Sequence, residues 1–170
     1  MRGKAMILGA VALALVVAGQ KAFATSLPPL TGPVMLKISG NIQHPNMGNE
    51  LWLDRDMLHA LPGRVIVTDT PWHRGTSRFE GPLLRSIVEA AGVESDQIRI
   101  HALNDFSADI PLSDLLDYDV ILAMRRNGHE MAVRDFGPLF VLYPFDDHPE
   151  LMNETTRFRS VWQVDAIYVP

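Results

Sequence analysis

The sequence predicts an α+β domain in which mixed sheets are combined with a few short helices. Apolar and β-branched runs are short and alternate with polar residues, as in half-buried strands, and only two or three brief segments have helical spacing. The helical segments do not alternate regularly with the strands, so a repeating β-α architecture is not indicated. The pair Asn127-Gly128 predicts a tight hairpin, which favours antiparallel pairing in the second half of the chain.

The amino-terminal segment has the pattern of a secretory signal. Two basic residues are followed by an apolar run that is short for a membrane span, and Ala22-Phe23-Ala24 provides a small-x-small cleavage site. We expect residues 1–24 to be a signal peptide cleaved after Ala24, and residues 25–170 to be a single domain exported to the periplasm. The alternative is an uncleaved amino-terminal anchor, because Lys21 lies unusually late for a cleavage region.

The composition excludes several classes of function. The chain has no cysteine, which excludes disulfides, thiol catalysis, cysteine-bound zinc and iron-sulfur clusters. Its net charge is −5, and because the predicted leader holds three basic residues and no acidic ones, the exported domain carries about −8. We do not expect such an acidic domain to bind nucleic acid, or a membrane through a basic face.

The first part of the exported domain predicts a strand and a short helix. Val34–Ser39 alternates apolar and polar residues, as a strand does. The apolar segment 51–53 leads to Asp54, which is placed to cap a helix that ends at Pro62-Gly63. Trp52, in the middle of this segment, is interpreted as a core residue.

The stretch from Val65 to Leu84 is interpreted as a strand over residues 64–69, a polar loop, and a helix that begins at Pro82. Such a junction displays its loop, and loops often carry binding residues. This loop holds an unusual set of aromatic and polar side chains: Trp72, His73, Arg74, Ser77, Arg78 and Phe79. We interpret it as one wall of a small-molecule pocket. The alternative is that Trp72 and Phe79 pack in the core while both arginines are solvated.

The second half predicts further short elements. In order, they are the helix from Pro82 to Gly92, a strand over 98–103, a turn at Asn104-Asp105-Phe106, a short helix over 112–116, a strand over 120–125, a hairpin return over 130–133, a strand over 139–143, an acidic turn over 145–150 and a final strand over 161–169. No internal repeat or linker between domains is apparent in the sequence.

The common catalytic and metal-binding motifs are absent. There is no GxSxG, no phosphate-binding glycine loop and no HExxH, and the six histidines never occur four residues apart or as an H-x-H pair. Asp146-Asp147-His148 has residue types that bind cations, but it is more typical of an acidic surface turn. We therefore predict no catalytic residues and no metal site.

Two segments carry the residues of a predicted binding site. If the strands over 65–69 and 98–103 are neighbours, their ends bring Trp72 and the residues up to Phe79 beside Asn104, Asp105 and Phe106. Aromatic rings stack on a flat heterocycle, a carboxylate accepts hydrogen bonds from an amino-imino edge, and arginine or asparagine donates to a ring carbonyl. The alternative is that Asn104 and Asp105 only form a turn.

An ordered series of short motifs spans the exported domain. They are Trp72, Phe79-Glu80-Gly81-Pro82-Leu83-Leu84, Ala102-Leu103-Asn104-Asp105-Phe106, Ile110-Pro111, Leu122-Ala123, Asn127-Gly128, Gly137-Pro138-Leu139 and Val161-Trp162-Gln163-Val164. Together they resemble the molybdopterin-binding domain of sulfite-oxidase-type oxidoreductases, and more closely its small exported single-domain relatives. The resemblance implies the sulfite-oxidase-type molybdopterin-binding fold, with mixed sheets around a pterin site.

The chain departs from this family where the enzymes hold the metal and the phosphate. In the enzymes a cysteine from the region corresponding to residues 68–74 binds molybdenum, and this chain has no cysteine. An arginine and a lysine of the enzymes, which suit the phosphate of the cofactor, correspond here to Phe140 and Val161. The resemblance therefore implies a pocket that keeps the pterin ring without the metal.

This description resembles periplasmic pterin-binding regulatory proteins of the same fold, which bind a reduced pterin and contact a membrane-anchored cyclic-di-GMP enzyme. By that resemblance, the chain is a non-catalytic pterin-binding protein whose partner is the periplasmic region of an inner-membrane signalling protein. The predicted ligand-binding residues are Trp72, His73, Arg74, Arg78, Phe79, Asn104, Asp105 and Phe106. One alternative is a molybdopterin-dependent oxidoreductase, or a subunit of one, with a metal ligand such as Asp69. The other is an interaction domain that binds no small molecule.

Overall fold

Residues 27–170 are described by a computed structural model of the chain. The predicted signal peptide and its cleavage site lie outside these residues. In chain order the elements are β1 (Val34–Gly40), β2 (Leu51–Asp54), α1 (Arg55–Ala60), β3 (Gly63–Thr70), β4 (His73–Pro82), α2 (Leu84–Ala91), β5 (Gln97–Ala102), β6 (Ser107–Pro111), α3 (Leu112–Asp117), β7 (Ile121–Ala123), β8 (Arg125–Arg126), β9 (His129–Glu130), β10 (Phe140–Leu142), α4 (Glu154–Arg159) and β11 (Val164–Val169). The helices within residues 27–170 include none that is long and apolar enough to cross a membrane.

The strands form three sheets, which confirms the predicted α+β class with mixed sheets. In the five-stranded sheet the order is β2-β1-β11-β5-β6, where β1 and β11 are parallel and the other neighbours are antiparallel. The four-stranded sheet has the antiparallel order β3-β4-β8-β9, and β10 pairs with β7 in a small third sheet. Ile38, Phe79 and Phe140, one from each sheet, are fully buried in one hydrophobic core.

Residues 73–82 form strand β4, so the interpretation of this stretch as a polar loop before a helix is wrong. β4 pairs with β3 along its length, and only the turn Pro71-Trp72 lies between the two strands. The helix starts at Leu84 instead of Pro82. The stretch looks like a loop because a half-buried strand has polar residues on one face: Arg78 is exposed, whereas Phe79 is completely buried.

Asp54 caps α1, as predicted, and also fixes the segment that precedes β1. Its Oδ1 accepts a hydrogen bond from the backbone N–H of Met57 at 2.9 Å. Its Oδ2 accepts from the N–H groups of Thr31 and Gly32, both at 2.8 Å. These backbone donors, with Met57 as the largest contributor, lower the pKa of the Asp54 carboxyl. One buried carboxylate thus satisfies donors from two segments.

Helix α2 is followed by Gly92, which confirms the predicted end of the helix, and it buries one apolar face. Leu84, Ile87 and Ala91 are fully buried. Gly92 follows with a left-handed backbone (φ +65), and its Cα lies so close to the side chains of Gln43 and His44 that a Cβ atom would approach them to 2.9 Å. Glycine therefore meets both a conformational and a steric requirement at this position.

The second half contains a confirmed hairpin and a helix that the sequence did not predict. Asn127 and Gly128 have positive φ angles of 51° and 80° and connect β8 to β9, although β9 is shorter than the predicted return over 130–133. Helix α4 starts after Asn153, whose side chain accepts from the N–H of Thr156 at 2.9 Å. Among the helical residues of α4 only Thr156 is buried, so the apolar periodicity that reveals a helix is absent.

Two further expectations are wrong. The strands β3 and β5 belong to different sheets and are not neighbours. Trp52 is only partly buried, and its ring instead has the Lys37 ammonium 5.0 Å from its centroid while its Nε1 donates to Glu50 at 2.5 Å. Several strands, such as the last one, which begins at Val164, are also shorter than predicted.

Candidate functional site

Trp72, in the turn between β3 and β4, is the centre of an aromatic cluster. Its ring centroid lies 5.6 Å from that of Phe140, 6.1 Å from Phe145 and 5.7 Å from Trp162, all in edge-on geometry. Phe136 extends the cluster, with its ring 5.3 Å from Trp162 and 6.0 Å from Phe140. Aromatic pairs of this kind contribute about 0.5–1.5 kcal/mol each beyond the burial of their area. Trp72 and Trp162 are only partly buried, so the cluster is open on one side.

A groove with a volume of about 390 Å³ opens beside this cluster. Besides the two tryptophans, it contains a second aromatic pair, Phe106 and Phe158, whose ring centroids are 5.1 Å apart. These two phenylalanines are 39% and 56% exposed, so their paired rings present an apolar surface to the groove. The size of this aromatic groove falls in the range of about 300–1,000 Å³ of small-molecule sites. It is lined by Trp72, Asn104, Phe106, Glu154, Arg157, Phe158, Ser160, Val161 and Trp162.

Strand pairing brings these distant segments together. β5 and β11 are antiparallel neighbours, and the N–H of Leu103 donates to the C=O of Gln163 at 2.9 Å. The turn over 104–106 therefore lies beside the segment that leads from α4 to β11. A bridge between Phe140 and Trp162 joins that segment to the aromatic cluster.

Three polar side chains that line the groove are available to a ligand. The Oδ1 atom of Asn104 accepts from the N–H of Phe106 at 3.2 Å, which leaves the amide N–H groups of Asn104 to donate. The side chains of Glu154 and Arg157 make no hydrogen bond or ion pair with any residue that the structure describes. The groove thus combines apolar walls with one acceptor group and two donor groups.

Three of the eight residues predicted to bind a ligand line the groove: Trp72, Asn104 and Phe106. We expected these residues to meet because β3 and β5 would be neighbouring strands. In the structure they meet instead through α4 and Trp162, which lie with them in the wall of the groove. Asp105 is exposed, has a left-handed backbone (φ +65), and does not line the groove.

The predicted residues of β4 lie elsewhere. Arg74 and Arg78 are exposed and do not line the groove, and Arg78 pairs with Glu80 of the same strand. Phe79 was expected on a displayed loop, which is wrong: it is 0% exposed and its ring is 6.2 Å from Phe140 in the core. For Phe79, therefore, the core interpretation is correct.

His73 is held behind the aromatic cluster with one ring nitrogen unpaired. The Thr70 hydroxyl oxygen accepts from the backbone N–H groups of Trp72 and His73, at 3.4 and 3.1 Å, and lies 2.8 Å from Nδ1 of His73. We infer that this hydroxyl donates its proton to Nδ1, so Nε2 carries the imidazole hydrogen. Nε2 is buried without a partner among the described residues. Burial, with a smaller effect of the Arg126 charge, lowers the pKa of His73 to about 4.

Sequence reasoning missed the residues that α4 and the following segment supply to the groove. Trp162 and Val161 occur in a motif of the family resemblance, so a signal for them was present. Glu154, Arg157 and Phe158 had none, because the helix that carries them lacks a buried apolar stripe.

The described residues contain no group of three or more histidine, aspartate or glutamate side chains that could hold a metal ion. Asp146 and Asp147 instead contact residues of β3. The N–H of Asp69 donates to Asp146 Oδ2 at 3.0 Å, and the Arg64 guanidinium lies 3.4 Å from the Asp147 carboxylate. His148 lies 3.2 Å from Glu150. These contacts agree with the interpretation of this segment as an acidic surface turn.

A family model described as the oxidoreductase molybdopterin binding domain matches residues 38–145, which include Trp72, Asn104 and Phe106 of the groove. The α4 side of the groove, from Glu154 to Trp162, lies beyond the matched range. A search of curated proteins finds no match.

Comparison with solved structures shows the same fold. The structure is similar to that of the sulfane dehydrogenase SoxCD from Paracoccus pantotrophus, with a TM-score of 0.59 and 16% sequence identity. The match covers 79% of this chain and 37% of the SoxCD chain, so this chain spans little more than a third of that protein's length. At this identity the likeness concerns the fold.

We predict that His73 makes the folded state sensitive to acid between pH 6.5 and 4. Its pKa falls from an ordinary 6.5 to about 4 on folding, so within this window the unfolded chain binds more protons at this position. Stability from this group is therefore present above pH 6.5 and is lost as the pH falls toward 4. Melting temperatures measured across this range should depend less on pH in His73→Gln than in the wild type. The exposed His59→Gln is the control, and equal slopes for His73→Gln and wild type would contradict the prediction.

Proposed function

This chain belongs to the oxidoreductase molybdopterin-binding domain family, and we propose that it is an exported, non-catalytic member that binds a reduced pterin without molybdenum. Membership of the family supports a pterin-type small molecule as its ligand. The observation that carries the proposal is the aromatic groove, which offers two pairs of rings within one small cavity. A flat bicyclic heterocycle suits such a site, because stacking of bases on aromatic side chains is worth about 1–3 kcal/mol per base in nucleic-acid complexes.

The residues of the chain do not fit the metal end of a molybdenum cofactor. No cysteine occurs in the whole sequence, so the thiolate that the enzymes of the family use is missing. In the corresponding region Thr70 and His73 bind each other, at 2.8 Å between Oγ1 and Nδ1. We therefore assign no redox step to this chain.

The phosphate end of the cofactor also lacks its partners. The two positions at which the resemblance places cations are occupied by Phe140 and Val161, which are 0% and 2% exposed. Phe140 packs in the apolar core and Val161 lines the groove as an apolar side chain, so neither can pair with a phosphate as a cation would. These positions favour a ligand that consists of the pterin ring with little or no charged extension.

The second candidate function is a molybdopterin-dependent oxidoreductase, or a subunit of one, which the family description favours. It would need a metal ligand other than cysteine, such as Asp69. Asp69 is exposed on β3 and does not line the aromatic groove, which weighs against this candidate.

The remaining parts of the proposal concern location and partner. The leader pattern of residues 1–24 supports export to the periplasm with cleavage after Ala24. A non-catalytic ligand-binding protein needs a receiver for its signal. We propose the periplasmic region of a membrane-anchored cyclic-di-GMP enzyme, by the resemblance to pterin-binding regulators of this fold.

We predict that Phe158→Ala weakens pterin binding by about tenfold, because it removes one stacking surface worth roughly 1–3 kcal/mol. Phe158 is 56% exposed, so its loss should leave the melting temperature almost unchanged. Calorimetric titration with a tetrahydropterin measures the affinity. Tyr168→Ala, an exposed aromatic residue outside the groove, is the matched control. A wild-type protein that binds neither reduced nor oxidised pterins would refute the proposed function and favour an interaction domain.

We predict that the protein purified from the periplasm of a molybdenum-replete host starts at Thr25 and carries no stoichiometric molybdenum. Cleavage after Ala24 should give the mass of residues 25–170. Molybdenum should be absent because the chain has no cysteine thiolate to bind it. Mass spectrometry and elemental analysis of one preparation give both values. One molybdenum atom per chain would restore the oxidoreductase candidate, and an intact leader in the membrane fraction would support the anchor.

We predict that the relay depends on the second aromatic pair. Cells in which Phe106 and Phe158 are both replaced by alanine should have the same cyclic-di-GMP level as cells that lack the protein, because in the proposed relay the partner responds to the pterin-loaded form. Cells with Tyr168→Ala should resemble the wild type. Mass spectrometry of cell extracts measures the nucleotide. If the wild type and the deletion have equal levels with pterin present, the proposed partner is wrong.

A further inference from the structure

Glu154 and Arg157 carry opposite charges at the wall of the aromatic groove, and neither side chain has a partner among the described residues. They are three residues apart on α4, a spacing that places side chains on the same face of a helix and commonly allows an ion pair. Both line the cavity, yet their side chains do not bond to each other or to any other residue within 27–170. Each therefore keeps its full hydrogen-bonding capacity.

The neighbouring arginine of the same helix behaves differently. Arg159 donates to Asp114 Oδ2 at 2.9 Å, and the Tyr143 hydroxyl donates to the same carboxylate oxygen at 2.8 Å. Elsewhere, Arg99 pairs with Asp109 through two hydrogen bonds of 2.7 and 3.0 Å. Unlike Arg159, whose charge is taken up by Asp114, Arg157 can therefore meet a ligand in the groove with its guanidinium free, and Glu154 can do so with its carboxylate.

We propose that Glu154 and Arg157 together recognise a 2-amino-4-oxo-pyrimidine edge of the heterocycle that stacks in the groove. This inference rests on the proposed function and names the chemistry that selects the ligand. The amino group and the adjacent ring N–H both donate, and a carboxylate accepts two parallel hydrogen bonds. The neighbouring carbonyl accepts, and the Arg157 guanidinium donates. The order of donors and acceptors on the edge therefore matches the two side chains.

The position of Glu154 gives it the role for which the sequence suggested Asp105. A carboxylate that reads a ring edge must lie at the wall of the cavity, and Asp105 does not line the groove. Asn104, which does line it, adds amide donors next to the stacked rings.

The same edge occurs in pterins and in guanine, whereas lumazine is the pterin ring with a carbonyl in place of the 2-amino group. Wild-type protein should bind pterin at least about tenfold more tightly than lumazine, because the lumazine carbonyl would face the Glu154 carboxylate. In Glu154→Gln, whose amide can donate to that carbonyl, the preference should fall to within about threefold. Glu94→Gln, an exposed residue outside the groove, should keep the wild-type preference.

Arg157→Gln tests the other half of the edge. The 4-oxo group is common to pterin and lumazine, so this substitution should weaken both ligands by a similar factor, about five- to tenfold for the loss of one charge-assisted hydrogen bond. Glu154 and Arg157 are exposed on α4, so the melting temperatures of both variants should match that of the wild type.

Calorimetric titrations with pterin, lumazine and guanosine separate the outcomes. If wild type and Glu154→Gln bind pterin and lumazine equally well, the assignment of the edge is overturned, and the proposed pterin binding stands. If guanosine binds as tightly as pterin, the assignment of the edge is supported. The ligand is then identified as a guanine compound, and the proposal that it is a pterin is overturned. If wild type binds none of the three, the proposed function fails together with this inference.

Discussion

The packing of Trp72 against Phe140 and Trp162 is the contact on which the site depends. Trp72 belongs to the hairpin of the four-stranded sheet, Phe140 to the small sheet, and Trp162 to the segment that enters the five-stranded sheet. Three separate sheets therefore meet at one set of rings. Trp72 and Trp162 also line the aromatic groove, so two of the residues that hold the sheets together form part of its wall. For this reason a substitution of Phe158, at the exposed edge of the groove, tests ligand binding with less effect on stability than a substitution of Trp72.

The sequence predicted the elements whose signals are local. The cap at Asp54, the stop at Gly92 and the hairpin at Asn127-Gly128 each depend on a residue type within a few positions, and all three are observed. The error at β4 has the opposite cause. Its polar face contacts solvent and its buried face carries Phe79, and this alternation can be recognised only when the pairing with β3 is known.

Part of the groove was predicted from the sequence, and the part formed by α4 and the segment after it was not. Asn104 and Phe106 were assigned to it with Trp72, although the premise of neighbouring strands was wrong. The actual link is Trp162, which lies in a bridge with Phe140 and beside the chain that pairs with the 104–106 turn. A site assembled by residues about 30 to 90 positions apart depends on sheet order, which local patterns do not encode. Helix α4 adds a second difficulty, because a helix without a buried stripe leaves no periodic signal.

Phe140 and Val161, at the positions where the family resemblance places cations, also constrain the ligand that we propose. Phe140 and Val161 are almost fully buried and contact other apolar groups, so a charged side chain could replace either only at a desolvation cost of several kcal/mol. A single substitution at Phe140 or Val161 would therefore not create a binding site for a phosphate group. In the proposed complex the ring itself provides the contacts, through stacking on aromatic faces and hydrogen bonds along one edge. A ligand recognised in this way needs few atoms, and a cavity of about 390 Å³ whose charged residues are confined to α4 is suited to that task.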